Sequence, residues 1–208
     1  MFQNRQEAGK KLADKLMAYK NLPDYIVVGL ARGGVVVAKE VALALHLPLE
    51  VLAPRKIGAP LNNEFAIGAI QGNEVLLNPH SIAMVGATQE EIQAIIQKET
   101  QEMHRREALY RQGKEPLHFQ GKNILLIDDG IATGMTLRVC IQFLKKAKCK
   151  SIVIGAPVAV PDTVAQLQRE VDQIVCVSTP ADFFAISQFY EQFEQVGDEE
   201  VCRLLQSP

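Results

Sequence analysis

One stretch limits the fold more than any other: Asn123-Ile124-Leu125-Leu126-Ile127, followed without a break by Asp128-Asp129-Gly130-Ile131-Ala132-Thr133-Gly134-Met135-Thr136. Four consecutive apolar residues predict a strand buried on both faces, as in a parallel sheet. Two carboxylates stand at its carboxyl end, the edge where open α/β sheets gather their ligands. Gly130 and Gly134 let backbone amides approach a ligand closely. A helical pattern from Thr136 makes the turn end on a helix N-terminus, which attracts anions. Together these parts suit a ligand carrying both hydroxyls and a phosphate. An ordinary turn with solvated acids needs neither two acids nor three hydroxyl or glycine positions in register.

Helices and apolar strands alternate on either side, which predicts an α/β sheet with helices on both faces. Asn4 and Glu7 have capping-box spacing, and Ala8, Leu12 and Leu16 recur at helical period, so residues 5–19 read as an amphipathic helix. Nothing in its residue types suggests chemistry. Strands are expected at 25–30, 49–53, 151–156 and 173–177, and helices at 35–47, 136–147, from Asp162 as cap to 170, and 198–205. The first strand empties into Ala31-Arg32-Gly33-Gly34, where a cation beside paired glycines before a helix suits a pyrophosphate and equally a tight turn with an exposed arginine. The second ends at Pro54-Arg55-Lys56, and those cations face the same edge as Arg32 if the sheet is parallel.

Residues 57–72 mix glycines, a proline and paired asparagines too irregularly for a regular element. Residues 74–78 finish a hairpin with 65–70. A capping box at Thr88 and Glu91 opens a long helix running to about Gln112. His80, His104 and His118 lack metal-ligand spacing. Aromatic residues, scarce elsewhere, gather after the last strand as Phe183, Phe184, Phe189, Tyr190 and Phe193.

The run from Ile124 to Thr136 resembles the phosphoribosyl diphosphate (PRPP) signature of the type I phosphoribosyltransferases, and the order of the other motifs extends the resemblance over most of the chain. It implies that fold: a three-layer parallel α/β domain over 1–208, with a helical insertion at 80–118 and a small hood at 179–208. It also implies the activity, transfer of a phosphoribosyl group from PRPP to a nucleobase or related acceptor with release of pyrophosphate. Asp128 and Asp129 would contact the ribose hydroxyls as the catalytic pair. Ile131, Ala132, Thr133, Gly134, Met135 and Thr136 would wrap the 5′-phosphate. Arg32, Gly33, Gly34, Arg55 and Lys56 would hold the pyrophosphate, with a strained or cis peptide near Ala31-Arg32.

Residues 57–72 would be the mobile loop, in which Glu64 reads equally as a lid contact, a substrate ligand or a plain surface acid. Phe184 and Tyr190 are the candidates for stacking on the base; the alternative is a hydrophobic cluster sealing the C-terminus. The implied cofactor is Mg²⁺, held mainly by PRPP rather than by protein ligands. The long helix either covers the site or makes a homodimer contact. Gly130 departs from the family, most of which carries a branched apolar residue there; the variant Asp-Asp-Gly-x-Ala-Thr-Gly-x-Thr resembles a less characterised branch.

A net charge of −2 over 208 residues gives no support for a nucleic-acid or membrane surface. Four scattered cysteines without a C-x-x-C pair predict reduced thiols in a cytoplasmic protein. Two rivals stay open beside the enzyme. A non-catalytic PRPP or nucleotide sensor would keep the ribose and phosphate sites. A receiver-like domain would gather acids at strand ends, yet would explain neither the Thr-Gly-x-Thr loop nor Arg32-Gly33-Gly34.

Overall fold

Apolar strands that cannot face water on either side must be covered by helices, and the computed structural model is built that way. It describes residues 1–112, Glu115 and 118–206. Five parallel strands, β1 (Tyr25–Leu30), β2 (Leu49–Leu52), β6 (Asn123–Ile127), β7 (Ser151–Val158) and β8 (Gln173–Ser178), form the main sheet in the order β2-β1-β6-β7-β8. Val28 pairs with Leu126, and Leu126 with Ile154, at its centre. Every residue of β6 is buried, as a strand between two helical layers requires.

One face of the sheet packs on α1 (Arg5–Lys15) and α2 (Gly33–Leu45). Leu12, Leu16, Val37 and Val41 meet Val27, Leu125 and Ile127 there. The opposite face packs on α5 (Met135–Lys146), whose Leu137, Cys140, Ile141 and Leu144 meet Val28, Leu126, Ile152 and Ile154. Alternation along each strand therefore feeds two cores, one per face. A shorter α6 (Pro161–Leu167) follows β7. Asp162 is not its cap, as the sequence suggested; β7 runs on through Pro157 to Val158, the cap falls on Val160, and Asp162 lies in the first turn.

Residues 57–72 form regular structure rather than an irregular loop. β3 (Arg55–Ala59) and β4 (Asn62–Gln71) make a hairpin around Pro60-Leu61, and β5 (Glu74–Leu77) adds the third strand, as expected. Two register shifts near Gly58 accommodate the glycines that disguised the pattern. This sheet packs on α4 (Gln89–Arg111), with Ile57, Ile67 and Ile70 against Ile92 and Met103; α3 (Pro79–Val85) precedes it. The capping box at Thr88 and Glu91 is present. The expected insertion at 80–118 and hood at 179–208 reach residues 113–114, 116–117 and 207–208, which lie outside the described residues.

After β8 the chain crosses to the sheet's carboxyl edge, where Tyr190 makes a parallel bridge with Phe2. It ends in α7 (Asp198–Gln206), packed on α2 and α4. Among the described residues no helix is long and apolar enough to cross a membrane.

Candidate active site

Strand order locates the site before any side chain is considered. The chain moves from β1 outward to β2 on one side, and from β6 outward through β7 to β8 on the other. The direction of winding thus reverses between β1 and β6, and a crevice opens at the carboxyl ends of two such strands. Ala31-Arg32-Gly33-Gly34 leaves β1 and Asp128-Asp129 leaves β6, so the two strongest motifs flank that crevice.

The motifs touch. A Cβ added at Gly33 would lie 2.0 Å from Oδ2 of Asp129, and one at Gly34 would lie 2.9 Å from Oδ1 of Asp128. Both glycines are therefore demanded by contact with the acid pair. The Ala31–Arg32 peptide is cis. The acids themselves differ. Burial first, then the Asp129 charge, hold Asp128 well above the usual carboxylate range. Burial also raises Asp129, but Arg5 opposes it with an ion pair of 2.7 Å from Nε to Oδ2. Asp128 has no ion pair among the described residues; its Oδ1 accepts the Asp129 amide at 2.9 Å.

Beyond the acids, the loop is fixed by β7 and α6. Ile131 is buried and exchanges backbone hydrogen bonds with Val158 and Val160 at 2.9 Å, so its amide is engaged by the sheet. Thr163 donates to the Ala132 carbonyl at 2.7 Å. Gly134 caps α5 at φ +71°, a left-handed geometry that L side chains rarely adopt. The first-turn amides after it, at Met135 and Thr136, have no intrahelical acceptor by helix geometry, and Thr133 beside them is exposed. The Met135 amide meets the Thr133 hydroxyl at 3.5 Å, and a helix N-terminus of this kind suits an anion.

The three candidate cations carry carboxylate partners. Arg32 stands 4.0 Å from Asp198 at the start of α7, Arg55 is 2.7 Å from the buried Glu99 of α4, and Lys56 is 3.2 Å from Glu64. Arg55 is thus tied to α4, while Glu64, 93% exposed in its side chain, stands over Lys56 at the hairpin. Asp198 also accepts from Arg105 and Tyr110, both at 2.7 Å.

The two aromatic candidates separate. Tyr190 is buried, tilted against the rings of Phe2 and Phe193, and donates to the Asp129 carbonyl at 2.6 Å. Its ring belongs to the sealing cluster rather than to an open base site. Phe184 is 91% exposed. Gly130 now has a reason: a Cβ there would lie 2.6 Å from Cγ2 of Ile186. Sequence reasoning missed three residues. Arg5 sits in a helix with no chemical signature, Asp198 in a terminal acidic turn, and Ile186 in an apolar residue type that signals only packing.

These features define an open α/β protein in which a glycine-pair loop and an acid-pair loop meet at the topological switch point. Residues 2–194 match the phosphoribosyl transferase domain, and the chain belongs to that family. Two Mycobacterium tuberculosis proteins, from strains CDC 1551 and H37Rv and provisionally named phosphoribosyl transferases, are 37% identical over 206 residues; these are 99% of this chain and 46% of theirs. The chain thus spans about half the length of the curated relatives it matches. The crystal structure of TT1426 from Thermus thermophilus superposes with a TM-score of 0.79 at 35% identity, covering 98% of this chain and 97% of that one. AQ2163 from Aquifex aeolicus shares the fold, with a TM-score of 0.51 at 13% identity over 83% and 71% of the two chains.

Proposed function

We propose that this chain transfers the 5-phosphoribosyl group of PRPP to a nucleobase or related acceptor, with release of pyrophosphate. One observation carries the reading: the glycine-pair loop and the acid-pair loop are in contact across the switch point. A ligand lying there meets carboxylates for its hydroxyls, helix amides for its 5′-phosphate and the glycine-pair backbone for its diphosphate.

In the reaction the bond from ribose C1 to the diphosphate oxygen breaks and one from C1 to the acceptor forms from the acceptor's lone pair, the acceptor's proton passing to solvent. The bonding pair leaves with pyrophosphate, so positive charge grows on the ribose and negative charge on the leaving group. Asp128 and Asp129 orient the ribose hydroxyls and face the growing positive charge. Ala132, Thr133, Gly134, Met135 and Thr136 anchor the 5′-phosphate, and Ile131 supports them from the sheet. Arg32, Gly33 and Gly34, with Lys56 from the second strand pair, receive the diphosphate once their carboxylate partners yield. Arg55 fits a supporting role through Glu99. Catalysis on this reading is positioning and electrostatics, with no covalent enzyme intermediate.

Two carboxylates at one strand end, Asp128 without an ion-pair partner among the described residues, suit a Mg²⁺ held mainly by substrate oxygens. Bound that way, the ion supplies neutralisation of diphosphate charge. The base would meet Phe184, and Glu64 would act as a lid contact. The motif variant with Gly130 assigns the chain to a less characterised branch. Four free cysteines agree with a reducing cytoplasm, and α4 would either cover the site or make a homodimer contact.

The test is a panel of purines, pyrimidines and nicotinate-type bases with PRPP and Mg²⁺, scored for pyrophosphate. Release with one base supports the enzyme. One observation favours a second reading, a PRPP or nucleotide sensor: with Tyr190 sealed, only Phe184 of the two aromatic candidates stands open to a base. PRPP binding without turnover on any base selects the sensor. Unchanged PRPP affinity in Asp128→Asn/Asp129→Asn rejects both.

A further inference from the structure

Three segments distant in sequence, around Arg5, Gly33 and residues 190–194, converge on Asp129 and the arginine that holds it. Arg5 at the start of α1 donates from Nε to Oδ2 of Asp129 at 2.7 Å, and from a terminal nitrogen to the Glu194 carbonyl at 2.8 Å. Its guanidinium carbon lies 3.7 Å from the centre of the Phe193 ring. The two partners of the ion pair are 11% and 12% exposed in their side chains. Gly33 closes the third side, since a Cβ there would lie 2.8 Å from the Arg5 Nε as well as on the Asp129 oxygen. Tyr190 holds the Asp129 carbonyl from behind at 2.6 Å. A planar fork with one arm on the carboxylate and the other on the backbone leaves neither free to rotate.

We propose that Arg5 is a positioning residue for the ribose site, which sets the orientation of the Asp129 carboxylate against the Gly33 backbone and couples it to the segment at Phe193-Glu194. The inference rests on the phosphoribosyltransferase reading and adds a residue from outside its motifs. Arg5 occupies one carboxylate oxygen, so Asp129 meets a ribose hydroxyl through the other, at an angle chosen by α1. Asp128, which has no such fork, is the acid free to adjust when ligand arrives. Movement of residues 189–194 then alters the ribose site through the Arg5 side chain, without touching substrate.

A binding cycle separates this role from simple stapling of α1. Calorimetry measures the affinity of PRPP with Mg²⁺ for wild type, Arg5→Gln, Asp129→Asn and the double variant, with thermal melts alongside. We expect Arg5→Gln to weaken PRPP by roughly tenfold to a hundredfold, the range of a lost charge-assisted hydrogen bond. In the Asp129→Asn background the same change should cost less than about twofold, because the group it positions is already altered. Arg5→Lys, which keeps charge without the fork, should fall between, and it carries the cycle if Arg5→Gln does not fold. Equal losses in both backgrounds, or no loss in the first, overturn the inference and leave the functional reading standing. Failure of the wild type to bind PRPP overturns both.

Discussion

Gly130 and Ile186 are in direct opposition: a Cβ on the first would lie 2.6 Å from Cγ2 of the second. The turn after the acid pair is therefore roofed by the segment that follows β8, and the glycine answers to packing rather than to a left-handed backbone. A larger residue has nowhere to go unless that roof lifts. Gly130→Val should destabilise the fold by about 1–3 kcal/mol, the usual cost of overpacking. Urea unfolding checks this. Adding Ile186→Ala should recover part of the loss; no recovery would mean the clash is relieved elsewhere.

The acid pair predicts an inverse relation between stability and ligand binding. Asp128 is held above the usual carboxylate range by burial and by the Asp129 charge. Such a group gains protons on folding, so its contribution favours the folded state below the unfolded pKa of about 4 and is lost as pH rises through the folded value. Asparagine removes that penalty at neutral pH. Asp128→Asn should melt higher than wild type at pH 7, by about 2–4 °C per kcal/mol relieved, with the gap closing in acid. The same variant should lose PRPP affinity. A lower melting point at pH 7 would contradict the burial argument.

Arg32 is drawn toward Asp198 at 4.0 Å, which competes with any incoming diphosphate. Asp198→Asn should tighten inorganic pyrophosphate by up to about fivefold, the scale of a partly exposed ion pair. It should also loosen α7, because asparagine keeps only one acceptor oxygen and no charge for Arg105 and Tyr110 to share. Titration calorimetry with pyrophosphate reads the first effect and limited proteolysis at the C-terminus the second.

The two aromatic side chains should respond oppositely. Phe184→Ala touches an exposed ring and should leave the stability within about 0.5 kcal/mol of wild type while weakening the acceptor base. Tyr190→Phe should cost about 1 kcal/mol or more, since the buried Asp129 carbonyl loses its donor. Its Michaelis constant for the base should not change. A base effect confined to Tyr190→Phe would move the acceptor site into the sealed cluster.

Much of the chain was legible in its order of residues. Runs such as Ile124-Leu125-Leu126-Ile127 can be stable only between two helical layers, and loops that end on helix N-termini declare themselves by glycine and hydroxyl residues. Residues 57–72 were less legible because two register shifts break the period-two pattern, so a hairpin reads as a loop. Asp162 looked like a cap because its side chain suits that position, yet helix α6 begins at Pro161, with Val160 extended before it.

Sequence alone therefore determined the buried strands and the two loops that carry carboxylates and glycines. These follow from periodicity and residue chemistry, which act over a few neighbouring positions. Tertiary structure decided everything that depends on distant segments meeting. It set Arg5 on Asp129, Asp198 beside Arg32 and Ile186 over Gly130, and it buried Tyr190 while leaving Phe184 in solvent. No local pattern encodes such pairs, because each is fixed by the packing of α1, α7 and the segment after β8 onto the sheet edge, where desolvation gives a single charge or methyl group its weight.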